Sequence, residues 1–111
     1  LFVTADKRGF EISKKRISDD MGYPIYLVSS SQRLSWISEK ENLDKVIYMG
    51  DGLVDSHIFK KIGYSICPQN SFHLTKENAD YVSPYNGAER AVADACLHLL
   101  EKFFKPHDFT E

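Results

Sequence analysis

The sequence predicts an α/β protein built on a parallel sheet with helices on both faces. Apolar stretches of strand length alternate along the whole chain with stretches of helical spacing, a pattern typical of parallel sheets covered by helices. The 111 residues are 42% hydrophobic and 13% aromatic, which is enough for a packed core, and the length suits one domain. No repeat, low-complexity segment or linker divides the sequence.

In the first part of the chain, apolar spacing and helix-ending residues predict two strands and two helices. Leu1–Thr4 is an apolar strand, and residues 7–21 carry apolar side chains at helical spacing up to Gly22. Pro24–Val28 is the second strand. Three serines then offer an N-cap to a short helix that extends to about Lys40.

The rest of the chain continues the alternation with three strands and two helices. The strands are predicted at 46–49, 64–67 and 81–82, and the helices at 53–62 and 87–104, while residues 74–78 are expected to form one helical turn at most. The last helix has the clearest apolar face, which consists of Val92, Ala95, Cys96, Leu99, Leu100 and Phe103.

Composition and charge exclude several classes of protein. The net charge is -2 and the signs are mixed, so the chain lacks the basic stripe that nucleic acid requires. It has neither an apolar run long enough to cross a membrane nor a signal-peptide pattern at its start. Cys67 and Cys96 lack metal-ligand spacing and are predicted to be buried, reduced thiols, with a disulfide as the alternative. We therefore expect a cytoplasmic protein that binds neither membranes nor nucleic acid.

The segment 46–55 carries the strongest chemical signal. Its apolar strand ends at Gly50, Asp51 lies at the strand end, and Asp55 falls in the first turn of the next helix. Ligands of open α/β sheets bind at the carboxyl ends of strands, and a carboxylate buried there needs a cation or a donor. Asp51 is therefore a candidate Mg²⁺ ligand, with Asp55 as a second ligand or an orienting group. The alternative is an ordinary Gly-Asp-Gly turn in which Asp55 favours the helix N-terminus.

Two residues near other strand ends are candidates for binding phosphate. Thr4 ends the first strand, where its hydroxyl and the N–H groups of Ala5 and Asp6 could hold a phosphate oxygen. Arg33 follows the three serines and could reach a strand-end site with its fork of donors. The alternatives are a helix N-cap at Thr4 or Asp6 and a solvated helix charge at Arg33.

The loop at 84–90 and the histidines carry weaker signals. Asn86 and Gly87 permit a tight turn with positive φ, after which the helix N-terminus could face an anion or belong to a plain connection. The four histidines show no ligand spacing, and we expect surface positions for all of them.

Taken in order, these segments resemble the haloacid dehalogenase-like phosphohydrolases. The closest branch is that of the small capless phosphatases of 3-deoxy-octulosonate 8-phosphate, with their relatives fused to sialic-acid cytidylyltransferases. Phe2-Val3-Thr4 resembles the family's second motif, which binds phosphate, and 46–55 resembles the fourth, whose acidic residues hold Mg²⁺. Residues 79–92 are similar to the branch's ending, a short strand, a glycine turn and a final helix.

The resemblance implies a three-layer Rossmann-like fold and phosphoryl transfer through an aspartyl-phosphate. In that scheme Asp51 and Asp55 hold Mg²⁺, while Thr4 and Arg33 bind the phosphate of a small phosphorylated sugar acid. The family's first motif, an Asp-x-Asp on the central strand that supplies the nucleophile, is absent from this sequence.

The missing motif leads to three structural expectations. Residues 1–105 should be the C-terminal part of such a domain, with 106–111 as a tail, and this chain should be inactive without the nucleophile. The sheet should lack its usual central strand. A longer chain or a partner would fill that place, or the strands that end at Thr4 and Met49 would pair directly.

Some positions depart from the family pattern and leave the substrate open. Arg33 stands where the third motif has lysine, and Gly52 stands where this branch often has a second aspartate. Glu89 and Arg90 replace small or basic residues of the usual glycine turn.

Two other interpretations stay open. The resemblance to relatives associated with a nucleotide-sugar synthetase implies a non-catalytic assembly domain as the alternative function. Capless members commonly associate, so a homo-oligomer is expected, with a tetramer as one form. The remaining interpretation is an unrelated doubly wound binding module, although the sequence contains no dinucleotide fingerprint or P-loop.

Overall fold

The structure is a computed structural model that describes residues 2–4, 9–19, 22, 24–87 and 89–104. The chain divides into two units, Leu1–Glu41 and Asn42–Glu111. The predicted tail at 106–111, the start of the first strand at Leu1 and the ends of the first helix at Lys7 and Met21 lie outside the described residues. Each unit contains parallel strands and helices, so the predicted α/β class is confirmed.

The first unit contains a two-stranded parallel sheet and two helices. Its elements are β1 (Phe2–Thr4), α1 (Phe10–Lys14), β2 (Ile25–Leu27) and α2 (Arg33–Lys40). β1 pairs with β2, with Thr4 opposite Leu27. Helix α1 continues as a π-helical turn, after which Gly22 adopts a left-handed φ of 77°, as a helix-ending glycine can. Tyr26 of β2 packs against Trp36 of α2 at 5.2 Å between ring centroids.

The second unit contains a three-stranded parallel sheet in the order β3-β4-β5. Its elements are β3 (Ile47–Met49), α3 (Leu53–Phe59), β4 (Tyr64–Cys67), α4 (His73–Asn78), β5 (Tyr81–Val82) and α5 (Ala91–Phe103). Helix α3 ends earlier than the predicted Ile62. The reason is that Gly63 donates its N–H to the carbonyl of Leu43 at 3.0 Å, which turns the chain toward the residues that precede β3.

Helices cover both faces of this three-stranded sheet. Tyr48 and Ser65 are opposite each other in the β3–β4 ladder and so point to one face. On that face, Tyr48 packs edge-on against Phe59 of α3, with ring centroids 6.1 Å apart. Tyr64 precedes Ser65 and points to the other face, where it packs against Phe103 of α5 at 5.0 Å. The predicted three-layer arrangement is therefore present in this unit.

The described strands form two sheets, one in each unit. Among the described residues, no helix combines the length and the apolar character that crossing a membrane would demand.

Helix α5 faces the core with part of the predicted face. Ala95 is buried and Phe103 packs against Tyr64, as predicted, whereas Val92 is 63% exposed. Ala91 and the His98 ring provide further contacts that the prediction did not include. Cys96 is exposed, so the prediction of two buried thiols is right for Cys67 and wrong for Cys96.

His98 lies between two tyrosines of the sheet. Its ring stacks on Tyr81 at 3.7 Å between centroids, and its Nε2 lies 2.6 Å from the hydroxyl of Tyr64. The hydroxyl of Tyr81 in turn donates to Asp94 of α5 at 2.9 Å. The expected surface position is therefore wrong for His98. It is right for His57 and His73, and His107 lies outside the described residues.

Deprotonation of Tyr81 should weaken the folded protein at high pH. Burial, followed by the hydrogen bond and the charge of Asp94, raises the pKa of Tyr81 from 10.0 to about 12. Because the folded state favours the neutral phenol, this contribution to stability is complete below pH 10.0 and is lost as the pH approaches about 12.

We therefore expect the free energy of unfolding in urea to fall over this pH interval, and to fall less in Tyr81→Phe. Tyr85→Phe changes an exposed ring and serves as the control. An identical fall in the parent protein and in Tyr81→Phe would show that Tyr81 does not carry the pH dependence.

Candidate functional site

The carboxylate of Asp55 anchors the loop that follows β3. Asp55 lies in the first turn of α3 and is 6% exposed. Its Oδ1 accepts a hydrogen bond from the hydroxyl of Tyr48 at 2.7 Å, and its Oδ2 accepts one from the N–H of Gly52 at 2.9 Å. Because a buried carboxylate is stable only among donors, these bonds hold strand, loop and helix in one arrangement.

Gly50 leaves room for this carboxylate. A Cβ atom at residue 50 would lie 2.5 Å from Oδ2 and 2.8 Å from Oδ1 of Asp55, closer than carbon and oxygen atoms approach without displacement. The position therefore requires glycine because of a close approach by a side chain, and not because of a left-handed backbone.

Further hydrogen bonds hold the backbone of the loop. The N–H of Gly50 donates to a carbonyl of β4 at 3.1 Å, and the carbonyl of Asp51 accepts from the N–H of Phe72 at 3.2 Å. The carbonyl of Gly52 accepts from the hydroxyl of Thr75 at 2.7 Å, and Thr75 is 0% exposed. The loop is thus bonded to β4, to α3 and to the segment that forms α4.

The two aspartates of this loop have different environments. Asp55 points into the protein, whereas the side chain of Asp51 is exposed on a loop whose backbone is held on both sides. The geometry favours the orienting role for Asp55 over a second-ligand role. The bond from Gly52 to Asp55 also satisfies an N–H group at the start of α3.

The Asp51 carboxylate suits Mg²⁺ as one ligand of a site that needs further ligands. Mg²⁺ takes oxygen ligands, often one or two carboxylates together with waters and substrate phosphates. Asp51 offers one such carboxylate. The residues that the structure describes contain no group of three or more His, Cys, Asp or Glu side chains that could hold a metal. Asp51 therefore fits a dication as a single ligand, and the remaining ligands would come from other groups.

In the first unit, Thr4 and Arg33 are connected through Val28, the residue that follows β2. The carbonyl of Thr4 accepts from the N–H of Val28 at 2.8 Å, and the carbonyl of Val28 accepts from Nη2 of Arg33 at 3.4 Å. The unit thus brings the two phosphate candidates to the carboxyl end of its sheet. Arg33 is 9% exposed, so the alternative of a solvated helix charge is wrong. The N–H groups of Ala5 and Asp6 lie outside the described residues.

The loop before α5 differs from its prediction. Gly87 donates its N–H to the Oδ1 atom of Asn70 at 2.8 Å, which ties this loop to the one after β4. The left-handed residue is Arg90, with a φ of 74°, at the N-cap of α5. The positive φ that Asn86 and Gly87 permit is thus adopted by neither residue, and the left-handed residue lies directly before the helix.

The sequence interpretation missed three residues that shape these loops, namely Tyr48, Asn70 and Thr75. Their partners lie 7, 17 and 23 residues away along the chain, so no local pattern indicates them. The available signal was weak: Tyr48 and Asn70 place hydrogen-bonding groups near the carboxyl ends of predicted strands, and Thr75 gives no such signal.

These features define a class, an α/β protein with an outward-facing acidic loop at the carboxyl end of a parallel strand. The profile of the haloacid dehalogenase-like hydrolases matches residues 34–96, more than half of the chain. The chain belongs to this family.

Among curated proteins, the chain is similar to the 3-deoxy-D-manno-octulosonate 8-phosphate phosphatases of Escherichia coli K12 and Salmonella typhi. The identity is 35% over 57 residues, which cover 51% of this chain and 30% of each relative. The aligned segment thus spans less than a third of those phosphatases.

Two solved structures show the same fold at low sequence identity. The cobalt-bound deoxy-D-mannose-octulosonate 8-phosphate phosphatase of Haemophilus influenzae has a TM-score of 0.73 at 17% identity, over 89% of this chain and 57% of that chain. The Moraxella catarrhalis phosphatase, solved in complex with a magnesium ion, a phosphate ion and KDO, has a TM-score of 0.69 at 21% identity, over 81% of this chain and 55% of that chain.

Replacing Gly50 with alanine should displace the anchoring carboxylate. The added methyl group would overlap the Asp55 side chain, and forced overpacking of this kind typically costs about 1–3 kcal/mol. Gly52→Ala is the matched control, because a Cβ there lies at an ordinary 3.5 Å from Oδ2 of Asp55. Urea unfolding should show a larger loss for Gly50→Ala than for Gly52→Ala. Equal losses would contradict the close approach.

Proposed function

We propose that this chain is part of a Mg²⁺-dependent phosphatase that hydrolyses a small phosphorylated sugar acid, such as 3-deoxy-octulosonate 8-phosphate. The observation that carries the proposal is the loop after β3, where a buried Asp55 fixes the backbone and Asp51 is exposed. Family membership and the names of the similar phosphatases support the same reaction class. A cytoplasmic location belongs to this proposal as well.

In this proposal each candidate residue has a defined task. Asp51 would be a ligand of Mg²⁺, and Asp55 would keep the Asp51 loop in place. A bound Mg²⁺ would offset the negative charge of the transferring phosphoryl group. Thr4 would donate its hydroxyl to a phosphate oxygen, and Arg33 would place a permanent positive charge and a fork of donors beside the phosphate.

The nucleophile would come from outside these 111 residues. We propose that residues 1–105 are the C-terminal part of the hydrolase domain, with 106–111 as a tail, and that an Asp-x-Asp strand completes it. The first aspartate would attack phosphorus and displace the sugar-acid oxygen, which the second aspartate would protonate as general acid. Water, deprotonated by that same residue, would then hydrolyse the aspartyl-phosphate to inorganic phosphate and the free carboxylate. The chain matches only a limited share of the relatives' length, which is consistent with a chain that forms part of the hydrolase domain.

A non-catalytic assembly domain is the second candidate. One observation favours it: α5 exposes the large apolar residues Val92, Leu97 and Phe103, which suit association with another protein surface. A homo-oligomer, including a tetramer, is compatible with either function.

Mg²⁺ binding and phosphate release test the catalytic proposal. We expect the protein encoded by the complete gene to release phosphate from 3-deoxy-octulosonate 8-phosphate with Mg²⁺, and Asp51→Asn to lower the rate by about 100-fold or more, since a lost ligand should cost at least as much as a lost outer-shell partner. Asp44→Asn, another exposed aspartate of the same unit, should keep the parental rate.

The 111-residue chain assayed by itself should release no phosphate. The coding sequence upstream of Leu1 should contain an Asp-x-Asp after an apolar stretch. A complete protein that lacks this motif and forms a stable tetramer inert toward sugar phosphates would instead support the assembly domain.

A further inference from the structure

We infer that Thr75 of α4 is a positioning residue for the metal-binding loop: its hydroxyl holds the Gly52 carbonyl so that Asp51 meets a dication in the correct place. This inference rests on the proposed function, because it assigns a residue to the same site. It gives helix α4 a role at the metal site that the sequence did not predict.

The contact is short, buried and between elements distant in sequence. The Oγ1 of Thr75 lies 2.7 Å from the carbonyl oxygen of Gly52, across 23 residues, and Thr75 is 0% exposed. A threonine within a helix can bond its hydroxyl to a carbonyl one turn earlier in its own helix. Here the hydroxyl donates to a loop outside its helix, so it connects α4 with the Asp51 loop.

A second contact from the same segment reaches the preceding residue. Phe72, the N-cap of α4, donates its N–H to the carbonyl of Asp51 at 3.2 Å. The carbonyls of Asp51 and Gly52 are thus both held from the α4 side. The N–H of Gly52 is held from the opposite direction by the carboxylate of Asp55.

These hydrogen bonds fix the position of the backbone that carries the Asp51 side chain. The peptide groups on both sides of Gly52 are hydrogen bonded, so the loop cannot rotate without breaking a buried bond. Groups that orient a metal ligand typically change affinity by about 10–100-fold when they are removed. The effect of the Thr75 hydroxyl should fall at the lower end of this range, because it acts through the backbone rather than on the carboxylate itself.

Three substitutions separate positioning from general stability. Thr75→Val keeps the shape and burial of the side chain but removes the donor, whereas Thr75→Ser keeps the donor. Ser71→Ala is the matched control, because the Ser71 hydroxyl also donates to a backbone carbonyl at 2.7 Å, that of Pro68, which is outside the Asp51 loop.

The probe is Mn²⁺ added to the protein encoded by the complete gene, in which the remaining ligands of the proposed site would be present. Its dissociation constant is taken from paramagnetic broadening of the amide signals of residues 50–55. We expect Thr75→Val to weaken Mn²⁺ binding roughly tenfold. Thr75→Ser and Ser71→Ala should each stay within about twofold of the parent, because the loop keeps its donor in both. Parental affinity in Thr75→Val, or an equal loss in Ser71→Ala, overturns the inference.

Asp51→Asn distinguishes this inference from the proposed function. If Asp51→Asn loses Mn²⁺ binding while Thr75→Val keeps it, the positioning role is wrong and the metal site stands. If Asp51→Asn binds as tightly as the parent, or the parent does not bind, the metal site is wrong and the inference falls with it. Should Thr75→Val not fold, Thr75→Ala replaces it, because alanine also lacks the hydroxyl donor. Parental affinity in that variant overturns the inference.

Discussion

The buried carboxylate of Asp55 is the interaction on which the rest of the candidate site depends. A carboxylate that is 6% exposed must be surrounded by donors, and here the donors come from the strand through Tyr48 and from the loop through Gly52. Satisfying this charge therefore connects β3, the loop and α3. Gly50 is part of the same constraint, since a side chain at that position would occupy the carboxylate's place.

This constraint gives Asp51 of the loop and Asp55 of α3 different tasks. Asp55 is directed inward and is used for structure, whereas Asp51 is exposed and available to a ligand. A mobile loop would lose entropy each time it ordered around a cation, and the bonds to β4, α3 and α4 remove much of that cost in advance. The loop thus has the property expected of a metal-binding group, a rigid support with one exposed carboxylate.

The elements of the fold could be predicted because their signals are local. Apolar runs and helical spacing indicated every strand and, except for α4, every α-helix found in the described residues. For α4 one helical turn at most was expected, and the acidic residues after β3 indicated the loop. Boundaries were less accurate. Helix α3 is shorter than predicted, since the N–H of Gly63 donates to the carbonyl of Leu43. Helix α5 begins later than predicted, since its N-cap, Arg90, has a left-handed backbone.

The contacts within the site could not be predicted, because they join residues that are distant in sequence. Thr75 looks like an ordinary residue of a polar helix until β4 and α4 bring it to Gly52. The burial of Arg33 and the exposure of Val92 likewise depend on how whole elements pack. For α5, Ala91 is buried and the neighbouring Val92 is exposed, and a hydrophobic pattern alone does not decide between two adjacent positions at the edge of a helix face.

The most direct test is a crystal structure of the protein encoded by the complete gene, grown with Mn²⁺, in which anomalous scattering locates the ion. We expect an anomalous peak within coordination distance of the Asp51 carboxylate, with Asp55 still bonded to Tyr48 and to Gly52. A carboxylate of Asp55 turned outward to the solvent, or Mn²⁺ bound away from Asp51, would contradict this expectation.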